Sequence, residues 1–353
     1  MPIFDMIAVG CGGGPSEDNL SCYLFKPHDA RWNDGIIALE GGSAIGAFQR
    51  LLHSQPGIFG TEENSNTAAK VYSWITCFLI THAHLDHING LVLTAGSSYG
   101  GSKSVYGSSH TLEDIEAIFS GRIWPRLASR NNDGSPLVLR PLTPNDEYQE
   151  IFRGVSVRVM PINHGQNDTS GTYDASAFFV RHDPTMREFL FFGDVEPDEI
   201  AQKPRNIEIW YVAAPKIVKR ILSTIFIECS WPLGRASETL YGHLSPEHLE
   251  AELAALAAEV VAVQKRTRKA DSEETAPSTG ARKRQRGPQD TPSLDGALKG
   301  VRVYIIHCKD DLNGSYPGRA INHVIAEQVR ARVDPRKLGV EIIAVDQGMQ
   351  ISI

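Results

Sequence analysis

Apolar residues along this chain gather in short runs of about four to eight, bounded by Gly, Pro, Asn or Asp, a spacing that suits strands. "MIAVGC", "CYLFKP", "GIIALEGG", "WITCFLIT", "SVYGS", "LVLRPL", "VSVRVMPIN", "SAFFVRH", "EFLFFGD", "TIFIECS", "VRVYIIH" and "VEIIAVDQGMQISI" read as strands. Helical spacing is found in "AIGAFQRLL", "TLEDIEAIF", "GRAINHVIAEQVRARV" and roughly residues 246–265, where Leu249, Leu253, Leu256 and Val260 form an apolar stripe that predicts core packing. Strands are too frequent for a doubly wound parallel sheet, and helices fall in both halves. The pattern therefore predicts an α/β protein of two sheets packed face to face with helices outside.

One stretch breaks the pattern. From Lys265 to about residue 297, "KRTRKADSEETAPSTGARKRQRGPQDTPSLD" has almost no large apolar residue and is rich in charge, Pro, Ser and Thr. Such a segment cannot bury enough surface to offset its ordering entropy, so 265–297 is expected to be a disordered insertion in a single domain spanning 1–353. Its clusters "KRTRK" and "RKRQR" leave nuclear import or an RNA-contacting arm open, although a solvated mixed-charge loop is the simpler reading.

Composition narrows the setting. A hydrophobic share of 41% and a charged share of 22% are ordinary for a globular chain, and 353 residues suffice for a large core. The net charge of −7 argues against a surface built for long nucleic acids. The start, "MPIFDMIAVGCGGGP", lacks a basic segment followed by an apolar one, and no apolar run reaches the ~18 residues of a membrane helix. A cytoplasmic protein is expected, with a nuclear fraction left open. Five widely spaced cysteines without a CxxC pair predict reduced thiols.

The chemistry concentrates in "THAHLDHINGL". If "WITCFLIT" is a buried strand, His82, His84, Asp86 and His87 lie in the turn at its end. His82 and His84 can reach one metal ion, and Asp86 and His87 are offset toward another. Imidazoles with a carboxylate suit zinc, and a coordination position left to water yields a nucleophile near neutral pH. His164, Asp194, His243 and His307 each end or follow a later apolar run, as partners at a strand-edge site should. Taken singly, each would more often be a polar residue closing a strand. His28, His53, His110, His182, His248 and His323 lie in polar turns or on helix faces and receive no role.

These residues carry a resemblance. His82, His84, Asp86 and His87 match the HxHxDH signature of the metallo-β-lactamase superfamily, and His164, Asp194 and His307 resemble its later metal-binding positions. Within it, "HAHLDHINGL", "GCGGGPSEDNLSCYLF", "FFGDVEP", "IECSWP" and "LYGHLSPEHLEAEL" resemble the class II cyclic nucleotide phosphodiesterases of the fungal low-affinity type. Thr94 stands where the family usually carries Ser near the end of the first motif, a change that keeps the hydroxyl.

The resemblance implies a metallo-β-lactamase-like αβ/βα four-layer sandwich whose two divalent ions, zinc by preference, sit along one edge of the sheets. His82, His84 and His164 would hold the first ion, Asp86, His87 and His307 the second, and Asp194 would bridge them. It also implies hydrolysis of 3′,5′-cyclic nucleotides, cAMP and by extension cGMP, to nucleoside 5′-monophosphates by a metal-bridging hydroxide. Asp86, His243 and Glu228 would take the catalytic tasks, with His243 as acid for the leaving 3′ oxygen and Glu228 orienting it. The competing assignment makes His243, rather than His307, the last metal ligand. The glycine run "GCGGGP" predicts a turn between the first two strands, while Trp124, Tyr173 and Trp231 are equal candidates for stacking on a base. A small cyclic nucleotide is the expected partner, with no long nucleic acid and no membrane, and a homodimer is left open. Two alternatives stand beside this reading: an RNA-processing endonuclease of the tRNA 3′-processing type, and a metal-binding scaffold without turnover.

Overall fold

A computed structural model describes residues 1–60, 66–97, 99–167, 171–274 and 293–353. The strands are β1 (Phe4–Gly10), β2 (Cys22–Pro27), β3 (Ile36–Leu39), β4 (Ile75–Leu79), β5 (Lys103–Gly107), β6 (Ala128–Ser129), β7 (Leu137–Pro141), β8 (Gln149–Phe152), β9 (Val155–Asn163), β10 (Asp174–His182), β11 (Arg187–Phe192), β12 (Leu222–Glu228), β13 (Arg302–Ile306), β14 (Glu341–Ala344) and β15 (Gln350–Ser352). The helices are α1 (Ile45–Ser54), α2 (Ala68–Ser73), α3 (Leu85–Thr94), α4 (Ser109–Ile118), α5 (Asn206–Val218), α6 (Pro246–Glu274) and α7 (Ile321–Val333). One sheet runs β15-β1-β2-β3-β4-β5-β7-β6 and the other β14-β13-β12-β11-β10-β9-β8.

Both faces of the central strands are buried, which explains why they read as nearly unbroken apolar runs. In β1, Phe4, Met6 and Ala8 point between the sheets, while Ile7 and Val9 point out to the layer formed with α1–α4. In β11, Phe189 and Phe191 face inward, and Leu190 and Phe192 face α5 and α6. The result is the four-layer αβ/βα sandwich that was expected. Leu249, Leu253, Leu256 and Val260 are fully buried on the inner face of α6, a stripe in which each leucine contributes about 1.5–3 kcal/mol of burial.

Several expectations change. The run "VEIIAVDQGMQISI" is two strands in different sheets, since β14 pairs with β13 and β15 with β1. Residues 206–218, not expected to be helical, form α5 despite Pro215 in its last turns. Of the stretch 265–297 expected to be disordered, residues 265–274 continue α6, because extending a formed helix through Lys, Arg and Glu avoids the nucleation cost. Residues 275–292 lie outside the described residues, and 293–297 lead to Ala297 and Leu298, which are packed on the core. All five cysteines are free and buried. Among the described residues no helix is long and apolar enough to cross a membrane.

Strands β3-β4-β5-β7 and β11-β12-β13-β14 are parallel within their sheets. Their carboxyl ends leave loops at one edge of the sandwich, where a parallel sheet places its functional residues.

Candidate metal centre

Most of the chemistry-bearing side chains lie at or just past the end of a strand: Glu40 after β3, His82 and His84 after β4, His164 after β9, Asp194 after β11, Glu228 at the end of β12 and His307 after β13, while His243 comes from the loop before α6. The loops must approach closely for these side chains to meet. Gly193 allows it, since a Cβ there would lie 2.5 Å from the Thr81 side chain. Asp86 and His87 are not in a turn but in the first turn of α3, with His84 as its N-cap. The His84 ring makes no capping bond, so the helix forgoes the ~1 kcal/mol a Ser or Asp cap would contribute. Glu40 and His307 both hold left-handed backbone, at φ 61° and 58°, a strain that persists where surrounding packing demands a fixed side-chain position.

Asp194 is the hub. One of its carboxylate oxygens, Oδ2, lies 3.0 Å from His307 Nε2, 3.5 Å from His164 Nε2, 3.7 Å from His82 Nε2 and 3.8 Å from His243 Nδ1. The other, Oδ1, is 3.2 Å from His87 Nε2. Ligand atoms converge in three sets: His82, His84, His164 and Asp194; Asp86, His87, Asp194 and His307; and Asp194, Glu228 and His243. The imidazoles are steered from behind. His82 Nδ1 lies 3.0 Å from Thr81 Oγ1, His164 Nδ1 2.9 Å from the Gly242 carbonyl, His307 Nδ1 3.0 Å from Ser21 Oγ and His87 Nδ1 3.5 Å from Glu40 Oε1. Such contacts leave the opposite nitrogen aimed at Asp194.

Protonation follows this crowding. Burial pushes the Asp194 carboxyl up, but His307 and His87 outweigh it and hold it well below the carboxylate range. Burial takes His164 down to about 3 and His243 to about 4, and keeps His82 well below its ordinary value. His87 is the exception. Burial lowers it, yet Asp194, Asp86 and Glu40 together lift it well above. Glu228 is raised to about 7, first by burial and then by the Asp194 charge.

The residues fit a divalent cation. His82 Nε2 and both ring nitrogens of His87 are buried without a hydrogen-bond partner among the described residues. Imidazole nitrogens facing an ionised, buried carboxylate, neutral at His82 and His164 and at His87 once a bound cation displaces its proton, form a donor set for zinc or a similar ion, and leaving them unpaired would otherwise cost stability.

All seven residues expected to ligate metal therefore converge. His243 and Glu228 are also in contact, with Nδ1 2.9 Å from Oε1. Glu228 accepts hydrogen bonds from the amides of Val195, Ser230 and Leu244 and from the Ser230 hydroxyl. Thr94 stands apart: its hydroxyl is buried and bonds to the Gly90 carbonyl and Tyr72 at the end of α3. Trp124 packs on the outer layer of helices, whereas Tyr173 and Trp231 line cavities.

Four contributors were not foreseen. Glu40, Ser21 and Thr81 act through ring contacts that have no sequence pattern, although an acid ending the apolar run "IIALE" was a weak sign. Lys309, two residues past His307, donates from Nζ to the Gly13 carbonyl at 2.6 Å and lies 3.6 Å from Asp86 Oδ2 and 3.3 Å from His307 Nε2. Two cavities meet at Asp86 and Lys309. One, of about 710 Å³, is bordered by His84, His164, Asp194 and His243, and the other, of about 830 Å³, by Gly13, Leu85 and Trp231.

Comparison with known proteins gives this site a lineage. Residues 48–348 match the family model of cAMP phosphodiesterases class-II. A 3′,5′-cyclic-nucleotide phosphodiesterase of Schizosaccharomyces pombe is 32% identical over 270 residues, 72% of this chain and 75% of its own length. One from Aliivibrio fischeri is 26% identical over 357 residues, covering 98% of this chain and 91% of the relative. The crystal structure of unliganded yeast PDE1 superposes with a TM-score of 0.79 at 25% identity, over 100% of both chains. Human tRNase Z, short form, superposes at 0.51 with 13% identity, covering 99% of each chain, a likeness of fold alone.

Proposed function

The chain belongs to the class-II cAMP phosphodiesterases, and from that premise we propose how its site divides the work of hydrolysing a 3′,5′-cyclic nucleotide. The bond broken is P–O3′, and the product is the nucleoside 5′-monophosphate. One observation carries the reading: Asp194 joins two sets of potential ligand atoms, buried except at His84 and Asp86, into a continuous array. His82, His84, His164 and Asp194 would hold one divalent ion, and Asp86, His87, His307 and the same Asp194 a second, with zinc favoured by the imidazole-rich donors. When bound, such ions supply Lewis acidity toward the phosphoryl oxygens and bring the pKa of water toward neutrality.

The rest falls to the chain. Thr81, Gly242, Ser21 and Glu40 hold four imidazoles in place, so the substrate meets a preformed array. With the His243 ring neutral, Nε2 carries the proton O3′ needs on leaving when Glu228, raised to about 7, keeps its own proton and donates it to Nδ1. His243 is thus the acid, Glu228 its positioning residue and His307 the last ligand. His307 is preferred because its Nε2 lies nearer Asp194 and also faces Asp86 at 3.5 Å, while His243 is engaged by Glu228. The strings "HAHLDHINGL" and "GHLSP" support the fungal low-affinity type within the family. We also read 1–353 as one domain, because the core between the sheets draws on both ends of the chain, Phe4 with Ile351 and Ile353.

The test is turnover of cyclic AMP and cyclic GMP by zinc-loaded protein, with 5′- and 3′-monophosphates resolved and bound metal counted. Wild type should yield only the 5′-monophosphate, and Asp194→Asn should lose both turnover and metal. A 3′-monophosphate product, or an Asn variant that keeps full activity, would refute the scheme. Absence of turnover with two ions bound would favour RNA processing instead.

A further inference from the structure

We propose that the purine base of the cyclic nucleotide is seated in the larger cavity, stacked on Trp231, while its phosphate occupies the smaller one. This rests on the phosphodiesterase reading above. The smaller cavity is bordered by His84, His164, Asp194 and His243, the groups a phosphodiester must face. The larger one shares only Asp86 and Lys309 with it. A ribose bridging those two residues would carry the base into the larger space.

That space suits a heterocycle and not a phosphate. Its walls include Leu20, Leu85, Trp231, Pro232, Leu312 and Ile321. Leu85 and Leu312 leave 68% and 73% of their surfaces exposed beside a polar site, as expected where a ligand supplies the missing apolar contact. The ionisable groups there, Glu17, Asp86, Asp310 and Asp311 against Arg235 and Lys309, are predominantly acidic and disfavour an anion. Trp231 is a rigid platform. Its Nε1 donates to the Leu240 carbonyl at 3.1 Å, and the Arg235 guanidinium lies 3.5 Å from the ring centroid, itself tied by Nε to the Thr239 carbonyl. Because the indole is already ordered, stacking a base on it loses little entropy.

The experiment compares metal-loaded wild type, Trp231→Ala and Trp231→Phe. The substrates are cyclic AMP and the abasic ribose 3′,5′-cyclic phosphate, and 5′-AMP binding is measured by calorimetry. Trp231→Ala should raise KM for cyclic AMP and Kd for 5′-AMP by about tenfold or more, the scale of a lost base–aromatic stack. It should also cut the preference for cyclic AMP over the abasic analogue by a similar factor, and Trp231→Phe should restore most of it. Circular dichroism checks that each variant is folded. An unchanged preference in Trp231→Ala, with KM raised instead by Tyr173→Ala or Tyr241→Ala on the smaller cavity, would overturn the assignment. Trp231-dependent binding of 5′-AMP by a wild type that hydrolyses neither substrate would retain the base seat and reject the phosphodiesterase reading.

Discussion

Replacing Gly13 by Ala tests whether the glycine turn is part of the site. A Cβ at Gly13 would lie 2.7 Å from His307 Cδ2 and Nε2 and 2.8 Å from the His307 carbonyl. Ordinary contact begins near 3.4 Å, so either the turn or the ring must yield by about 0.7 Å or more. The turn is pinned on both sides: Gly13 N donates to the Cys308 carbonyl at 3.0 Å, its own carbonyl accepts from Lys309 Nζ, and Gly12 N donates to the Asn19 carbonyl at 2.7 Å. The ring is the softer partner, although Ser21 Oγ holds its Nδ1. Its Nε2 would leave the 3.0 Å contact with Asp194. A displacement approaching 1 Å in a reacting array costs on the order of 100-fold, equivalent to about 2.7 kcal/mol of transition-state stabilisation. Overpacking should cost a further 1–3 kcal/mol or so of folding stability. The assay is kcat/KM on cyclic AMP, with bound zinc and a urea melt measured on the same sample. Gly46→Ala is the control, since nothing lies within 4 Å of a Cβ there and the site is in α1. That variant should be slightly stabilised and fully active. Gly13→Ala protein that keeps its metal and retains kcat/KM within twofold would show that His307 does not need the turn.

Two further predictions follow from the same geometry. His243→Ala should lower kcat by about 10²–10⁴, the range of general acid catalysis, with metal content as in wild type; loss of an ion would instead make His243 the last ligand. Stability should fall on the alkaline side. Burial pushes Cys11, Cys22 and Cys77 up to about 12 and Cys229 and Cys308 well above the usual thiol value. The native state thus keeps protons that the unfolded chain releases above about pH 9, and unfolding is favoured as pH rises from there toward 12, by roughly 1.4 kcal/mol per thiol per unit. Lys103, lowered by burial to about 8, opposes this as one group against five. Urea midpoints in reductant should therefore drop by several kcal/mol equivalents between about pH 8.5 and 10, and a flat profile would contradict the burial argument.

Much of this was legible because it is local. The short apolar runs that become β2 and β9 depend only on residues near one another, and both strands end at the predicted residues. The HxHxDH string works the same way, since two-residue spacing off a strand end already brings His82 and His84 together. Reading Asp86 and His87 as part of a turn failed because α3 begins one residue past an N-cap with no capping side chain, His84. The final run looked like one strand because periodicity cannot report that β14 and β15 find partners in different sheets.

The sequence by itself determined the fold class, the metal-capable residues and the family they resemble, because each is written in short-range pattern and residue chemistry. Only the tertiary structure decided which groups stand behind the candidate ligands. Ser21 reaches His307 across 286 positions and Glu40 reaches His87 across a sheet edge. It also decided that Lys309 and Asp86 stand where two cavities meet, and that Trp231 lines one while Trp124 lies in a helical layer. These are contacts between loops that converge because separate parallel strands end at the same edge of the sandwich, and no spacing along the chain records that convergence.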